Sequence, residues 1–274
     1  MKVKEENKLL GKELLNSSSA AKMAGVTPST IKRWADEGRL TCERTAGGHR
    51  RFRKSTLVAF IKDQQFKGRD ADAVQKWVSE LVTGSHYSAV SELYRLRKET
   101  GCWAKTADAL EPIIEGIGES WANGSLSIAE EHRASECLSR AIWQVGNSLP
   151  SIDSPPIALL ATAEGDQHAL GLRLAEMCLL NRQWRTVWIG PNTPTNVLME
   201  HLEKEKVDLL LISASPWILS EETLEKIAVK LSDHCQRQGV DLIFGGRGKW
   251  PELNYGLRVS SFEDFDQLLQ AKQS

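Results

Sequence analysis

The octapeptide Glu164-Gly165-Asp166-Gln167-His168-Ala169-Leu170-Gly171 joins an apolar run, Ile157-Ala-Leu-Leu-Ala-Thr-Ala163, to a helical pattern extending from Leu170 to Asn181. The apolar run predicts a buried parallel strand. Asp166, His168 and Gly171 then fall at the carboxyl end of a strand, where open α/β sheets place their ligands. An Asp two residues before a His can orient the imidazole and leave its other nitrogen free for a metal. A Gly three residues later lets a large flat ligand approach the backbone. Taken alone, one His on a loop reads better as a solvated turn, and the rest of the chain must change that balance.

Outward from this loop, strands are expected at Ile157–Ala163, Thr186–Ile189, Asp208–Ala214, Val240–Phe244 and Leu257–Ser260. Helical patterns lie near 169–182, 195–205, 220–238 and 262–271. Repeated β-then-α units predict a parallel sheet with helices on both faces. Ser213 ends the third strand, and Gly245 with Gly246 ends the fourth, so all three share an edge with His168. A proline-bearing linker, Leu149–Pro156, precedes this domain.

Upstream, four helical patterns (72–83, 87–100, 106–122 and 128–147) are separated by turns at Gly84–His86, Gly101–Ala104 and Asn123–Leu126, the spacing of an antiparallel four-helix bundle. Leu110, Ile113, Ile114, Ile117 and Trp121 form one stripe on the third helix. Ser127-Ile-Ala-Glu130 is a capping box opening the fourth. Its stripe is Ile128, Ser135, Leu138, Ile142 and Val145. Glu131 projects into that stripe and His132 lies at its edge. A carboxylate on an apolar face is costly unless something answers it. The short turn brings Trp121, Glu131 and His132 to one end of the bundle, a grouping that looks like a site.

At the N-terminal end, residues 1–70 hold 16 Lys and Arg against 8 Asp and Glu, a balance of +8, and the remainder holds 19 against 28, a balance of −9. A basic head on an acidic body points to nucleic acid. Ser19 is placed to cap a helix over Ala20–Ala24, ended by Gly25. Thr27-Pro28 opens a second helix, Ser29–Glu37, closed by Gly38. Two short helices around a tight turn form a helix-turn-helix, the second offered to the major groove. Its exposed face carries Ser29, Thr30, Lys32 and Arg33, while Ile31 and Trp34 pack. Gly47-Gly48 suits a hairpin tip, and Arg44, His49, Arg50 and Arg51 crowd it with cations suited to phosphates. A third helix, Ser55–Gln64, packs behind through Leu57, Phe60 and Ile61, before a polar linker over 63–72.

The run Thr30-Ile-Lys-Arg-Trp-Ala-Asp-Glu-Gly-Arg-Leu40, continued by Thr45-Ala-Gly-Gly-His-Arg-Arg-Phe52, resembles the winged helix-turn-helix of the MerR family. Trp121, nine intervening residues and then Glu131-His132 is similar to the helical-cap signature of CarH-type cobalamin-dependent photoreceptors. With the Asp-x-His-x-x-Gly loop, the resemblance covers nearly the whole chain in that family's domain order. It implies a multidomain protein: a winged helix-turn-helix DNA-binding domain over 1–68, a four-helix bundle cap over 72–149, and a Rossmann-like α/β cobalamin-binding domain with a parallel sheet over 155–274. It implies that His168 is the lower cobalt ligand in place of dimethylbenzimidazole, with Asp166 as its partner. Gly171, Ser213, Gly245 and Gly246 would border the corrin or the nucleotide tail, and Trp121, Glu131 and His132 would approach the adenosyl group. Three features depart from the family. Ala122 stands where its best-understood members carry a histidine that captures cobalt after illumination. Ser215 replaces the usual Leu, and the separation between Ser213 and the glycine pair is slightly long. Three explanations stay open: another residue replaces the missing histidine, with His86 and His132 as candidates, the photoproduct holds water, or the protein senses something else.

The resemblance implies a DNA-binding transcriptional repressor, not an enzyme, that assembles as a dimer or tetramer on a double-stranded operator with adenosylcobalamin as its light-sensitive chromophore. A MerR-type regulator sensing corrinoid level, or another tetrapyrrole, without adenosyl chemistry is the alternative that Ala122 favours. A corrinoid carrier for methyl transfer is the third, opposed by the head and by the want of a partner domain. No nucleophile–base constellation is visible. Apolar content of 41%, no run long enough for a membrane span, no signal-peptide core and five scattered cysteines predict a cytoplasmic chain with no membrane partner.

Overall fold

The computed structural model describes residues 14–24, 27–36, 40–45, 48–54, 56–57, 73–84, 86–216 and 218–273. The chain forms two compact units, divided after Ala73.

In the first unit, β1 (Leu14–Leu15) precedes α1 (Ser17–Ala24) and α2 (Pro28–Asp36), and β2 (Glu43–Arg44) and β3 (Arg50–Arg53) follow. The strands pair antiparallel in the order β1-β3-β2. Helix α1 begins earlier than Ser19 predicts, because Asn16 takes the capping role: its Oδ1 accepts from the Ser19 N–H at 2.8 Å. Thr27 caps α2, with Pro28 at the first helical position, as expected. Ala20, Ala21, Ile31, Leu40, Phe52 and Leu57 are buried in one cluster, against which Trp34 packs. Gly48 takes φ +77° at the hairpin tip, where its N–H donates to the Thr45 carbonyl at 2.8 Å. Gly25, Gly38, Gly47, Phe60, Ile61 and the 63–72 linker lie outside the described residues.

The second unit opens with helices α3 (residues 73–83, starting at the boundary residue), α4 (His86–Thr100), α5 (Trp103–Ala122) and α6 (Ile128–Asn147). Helix α5 starts at Trp103, three residues before the expected 106. Trp103 and Ala104 are buried there, so packing extends the helix back to the Gly101 turn. The capping box at Ser127 and Glu130 forms with both of its bonds. Ile128 departs from its predicted stripe: at 62% exposure it stands outside the core, which α6 instead fills with Ala134, Cys137, Leu138, Ala141, Ile142, Val145 and Gly146.

Then alternate β4 (Ile157–Thr162), α7 (Leu170–Asn181), β5 (Arg185–Gly190), α8 (Thr195–Lys204), β6 (Leu209–Ser213), α9 (Glu221–Gln238), β7 (Asp241–Gly245), β8 (Leu257–Arg258) and α10 (Phe262–Gln273). All five strands are parallel, in the order β5-β4-β6-β7-β8. Alternate strand residues face opposite sides. Ala158, Leu160, Leu209 and Leu211 join α7, α10 and the bundle in one core. Leu159, Ala161, Leu210 and Ile212 join α8 and α9 in the other. The bundle therefore lies outside α7 and α10, sharing their core rather than hanging from a linker. Asp108 of α5 reinforces this docking by accepting from the Phe262 and Glu263 N–H groups, at 2.7 and 3.1 Å, at the start of α10. Asp108→Ala is expected to cost about 1–2 kcal/mol, the usual value of a lost cap, as a lower urea midpoint with unchanged slope.

Candidate functional site

Strand β4 sends its chain to β5 on one side, while β6 lies on the other. The loops after β4 and β6 thus flank the point where an open α/β sheet leaves a crevice. Gly165 takes φ +95° in the first of these loops, and the Asp166 N–H returns to the Ala163 carbonyl at 2.9 Å. This turn drives the Asp166 side chain inward, to 0% exposure.

Three donors converge on that buried carboxylate. The His168 backbone N–H and ring Nδ1 both lie 2.9 Å from Oδ1, and the Ser215 N–H donates to Oδ2 at 2.5 Å. Burial pushes the Asp166 carboxyl up, but the bonds from His168 and Ser215 outweigh it and hold the group below its ordinary value. The same ring bond raises His168, against desolvation, and the Asp166 and Glu131 charges add to the rise. With Nδ1 held from below, the His168 side chain remains 65% exposed, and Nε2 is the nitrogen left for a ligand.

Ser213 and Gly245 face each other in register across β6 and β7. A Cβ at Gly245 would meet only ordinary contacts, the nearest at 3.7 Å, and one on Gly171 would meet nothing within 4 Å. Gly246 is different: φ is +75° and a Cβ would strike the Ala214 carbonyl oxygen at 2.4 Å. Gly246→Ala is therefore expected to lose more than about 2 kcal/mol of stability, whereas Gly245→Ala stays within about 0.5 kcal/mol of wild type. Thermal unfolding of the two variants checks this.

At the bundle end, Glu131 is answered by Ser135, whose hydroxyl donates to it at 2.7 Å. The His132 Nε2 lies 3.5 Å from the other Glu131 oxygen, with its side chain 75% exposed. Glu131 lies near enough for its charge to act on His168. Trp121 does not continue the buried stripe of α5: it is 50% exposed, while Leu110, Ile113 and Ile117 fill the core. Ala122 is exposed beside it. His86 opens α4 rather than sitting in the turn, half-buried with its ring centroid 4.0 Å from that of Tyr87.

Several positioning residues escape a linear reading. Thr162 donates to the Asp166 carbonyl at 2.5 Å and accepts from the Asn192 N–H. Asn192 also accepts from the Gly165 N–H at 2.6 Å, stitching the loops after β4 and β5 together. Glu164 accepts from the N–H and hydroxyl of Thr195 at the start of α8. Only the turn signature Pro191-Asn-Thr-Pro194 marks this cluster in the sequence.

On the head, Lys32 and Arg33 are exposed on α2. Ser29 is exposed too, but Thr30 is half-buried, and both hydroxyls lie within 3 Å of Thr27 Oγ1 in a capping cluster. Arg44 and His49 are exposed at the hairpin, and Arg50 and Arg51 are half-buried on β3. Arg53 pairs with Glu43 across the ribbon at 2.6 Å.

Residues 16–52 match the family model of the MerR family regulatory protein, so the first unit carries a MerR-type helix-turn-helix. The chain is 41% identical over 54 residues to the transcriptional repressor DcmR of Methylorubrum extorquens, covering 19% of this chain and 20% of that one. It thus spans about a fifth of the length of the curated relative it matches. The monomethylamine corrinoid protein of Methanosarcina barkeri superposes with a TM-score of 0.51 at 19% identity, over 72% of this chain and 96% of that one. The second unit thus has the bundle-plus-parallel-sheet fold of that corrinoid protein. A cobalamin-binding protein from Desulfitobacterium hafniense superposes more loosely, with a TM-score of 0.36 at 15% identity over 72% of this chain and 97% of that one.

Proposed function

We propose that this chain is a DNA-binding transcriptional regulator, acting as a repressor, whose second unit holds a corrinoid through His168. The observation that carries the reading is the buried Asp166 gripping Nδ1 of an exposed histidine at the sheet's switch point. Among the described residues no group of three His, Cys, Asp or Glu side chains gathers to hold a bare ion. A single oriented imidazole suits a metal that arrives with equatorial ligands of its own, as in a corrin. Gly171 fits that reading, since nothing in the fold demands a glycine there and a flat ligand would use the space.

Adenosylcobalamin, when bound, supplies a cobalt–carbon bond that visible light breaks. Of the chain's own residues, Asp166 would orient His168 to hold the group, and Trp121, Glu131 and His132 would approach it from the helical bundle. Ser213, Gly245 and Gly246 border the ligand along the sheet edge. The heads then engage double-stranded DNA as a homo-oligomer, a dimer or tetramer, through Lys32 and Arg33 in the major groove and Arg44, His49, Arg50 and Arg51 on phosphates.

The visible spectrum and size of the purified protein with adenosylcobalamin, in darkness and after green light, test the proposal. A His-ligated spectrum that changes on illumination, with a parallel change in size and DNA retardation, is the expected result; a colourless protein defeats it. Arg51→Ala is expected to weaken binding about equally on every DNA fragment and to lower the salt slope by about 1. Ala122, which has no ligand atom, favours a second reading in which the chain reports corrinoid or tetrapyrrole level without photochemistry. A stable holo-spectrum that ignores light selects it.

A further inference from the structure

Arg247 follows the glycine pair Gly245-Gly246, on the turn that leaves β7. Its guanidinium meets two carboxylates of α5 at once: Nη2 donates to Glu111 at 3.3 Å, and Nη1 pairs with Glu115. Glu111 and Glu115 are four residues apart and so share one helix face. All three side chains are partly exposed, which leaves the cluster open to screening by salt.

The turn presenting Arg247 has little freedom. Gly246 leaves no room for a Cβ beside the Ala214 carbonyl, the Gly248 N–H donates to that same carbonyl at 2.8 Å, and the Trp250 indole donates to the Gly245 carbonyl at 2.9 Å. Ala214 leads into Ser215, whose N–H holds Asp166, and Asp166 holds His168. A continuous set of contacts therefore runs from the acidic pair on α5, through Arg247 and the 246–248 turn, to the carboxylate that orients the histidine. Asp108 and Lys105 tie α5 to α10 instead. Arg247 ties it to the sheet's carboxyl edge, through Glu115 less than two turns from Trp121 and Glu111 less than three.

We infer that Arg247 is a clasp that sets how closely the Trp121 end of α5 sits over the His168 loop, and with it the rate at which a corrin-sized ligand enters. The identity of the ligand rests on the function proposed above, whereas the clasp acts in the ligand-free chain. Amide hydrogen exchange of residues 111–122 in the ligand-free protein, and stopped-flow uptake of hydroxocobalamin, read the two separately.

Arg247→Ala is expected to raise both the exchange and the uptake rate roughly fivefold, about what a pair of half-exposed ion pairs can hold. The charge swap R247E with E111K and E115K restores both. Unchanged exchange in Arg247→Ala, or a swap that fails to restore it, overturns the clasp. Faster exchange in a protein that takes up no hydroxocobalamin supports the clasp and defeats the corrinoid reading instead.

Discussion

His168→Ala, incubated with hydroxocobalamin in darkness, is expected to bind at least about 100-fold more weakly than wild type, because even partners behind a metal ligand are worth up to that factor. The substitution deletes the one imidazole that Asp166 orients, and Ala169 and Gln167 beside it offer no replacement. The fold should survive. The side chain is 65% exposed, and Asp166 keeps the backbone N–H groups of His168 and Ser215. The loss of stability is therefore limited to about 1 kcal/mol, one hydrogen bond's worth. Equilibrium dialysis and a urea titration on the same sample separate the two effects. Undiminished binding would remove His168 from the site.

Asp166→Asn should behave in the opposite way, with a large cost to the fold. The carboxylate accepts three hydrogen bonds at 0% exposure, and an amide keeps one acceptor oxygen but turns an NH2 group against a remaining donor. Breaking a buried charged network of this kind costs about 2–4 kcal/mol. The pH dependence follows from the two shifts. Asp166, lowered in the fold, contributes stability that is full above its ordinary 3.8 and is lost as pH falls through the folded value. His168, raised in the fold, contributes stability that is full below 6.5 and is lost as pH rises through its folded value. Ligand-free wild type is thus expected to be most stable between those limits, and Asp166→Asn to flatten the alkaline loss. NMR titration of the His168 ring checks the cause: its pKa should fall in the variant. An unmoved value would mean that Asp166 does not set it.

Much of the architecture is legible in the sequence alone. Apolar runs of strand length alternating with amphipathic helices after residue 156 report a parallel sheet, since burial on both faces erases the polar alternation of a half-exposed strand. Thr27-Pro28 marks the start of α2 and Ser127 with Glu130 that of α6, because a cap satisfies local N–H groups and its signal is local. Element ends were less legible. Ser19 suits a cap by residue type, yet Asn16 holds that place and Ser19 lies inside α1. Trp121 and Ile128 fit their apolar periods, yet the turn between α5 and α6 leaves both facing outward.

The sequence by itself determined the MerR-type head, the succession of elements in the second unit and the local Asp-x-His geometry, because periodicity, capping and a two-residue spacing act over a few residues. Only the tertiary structure decided what meets across long separations: the Ser215 N–H on Asp166, 49 residues away, and Arg247 on Glu111, 136 residues away. Such pairs depend on strand order and on how the bundle docks against α7 and α10, and no local pattern encodes either. The physical reason is that a buried carboxylate takes whichever donor the fold delivers, and delivery is settled by the packing of the whole core.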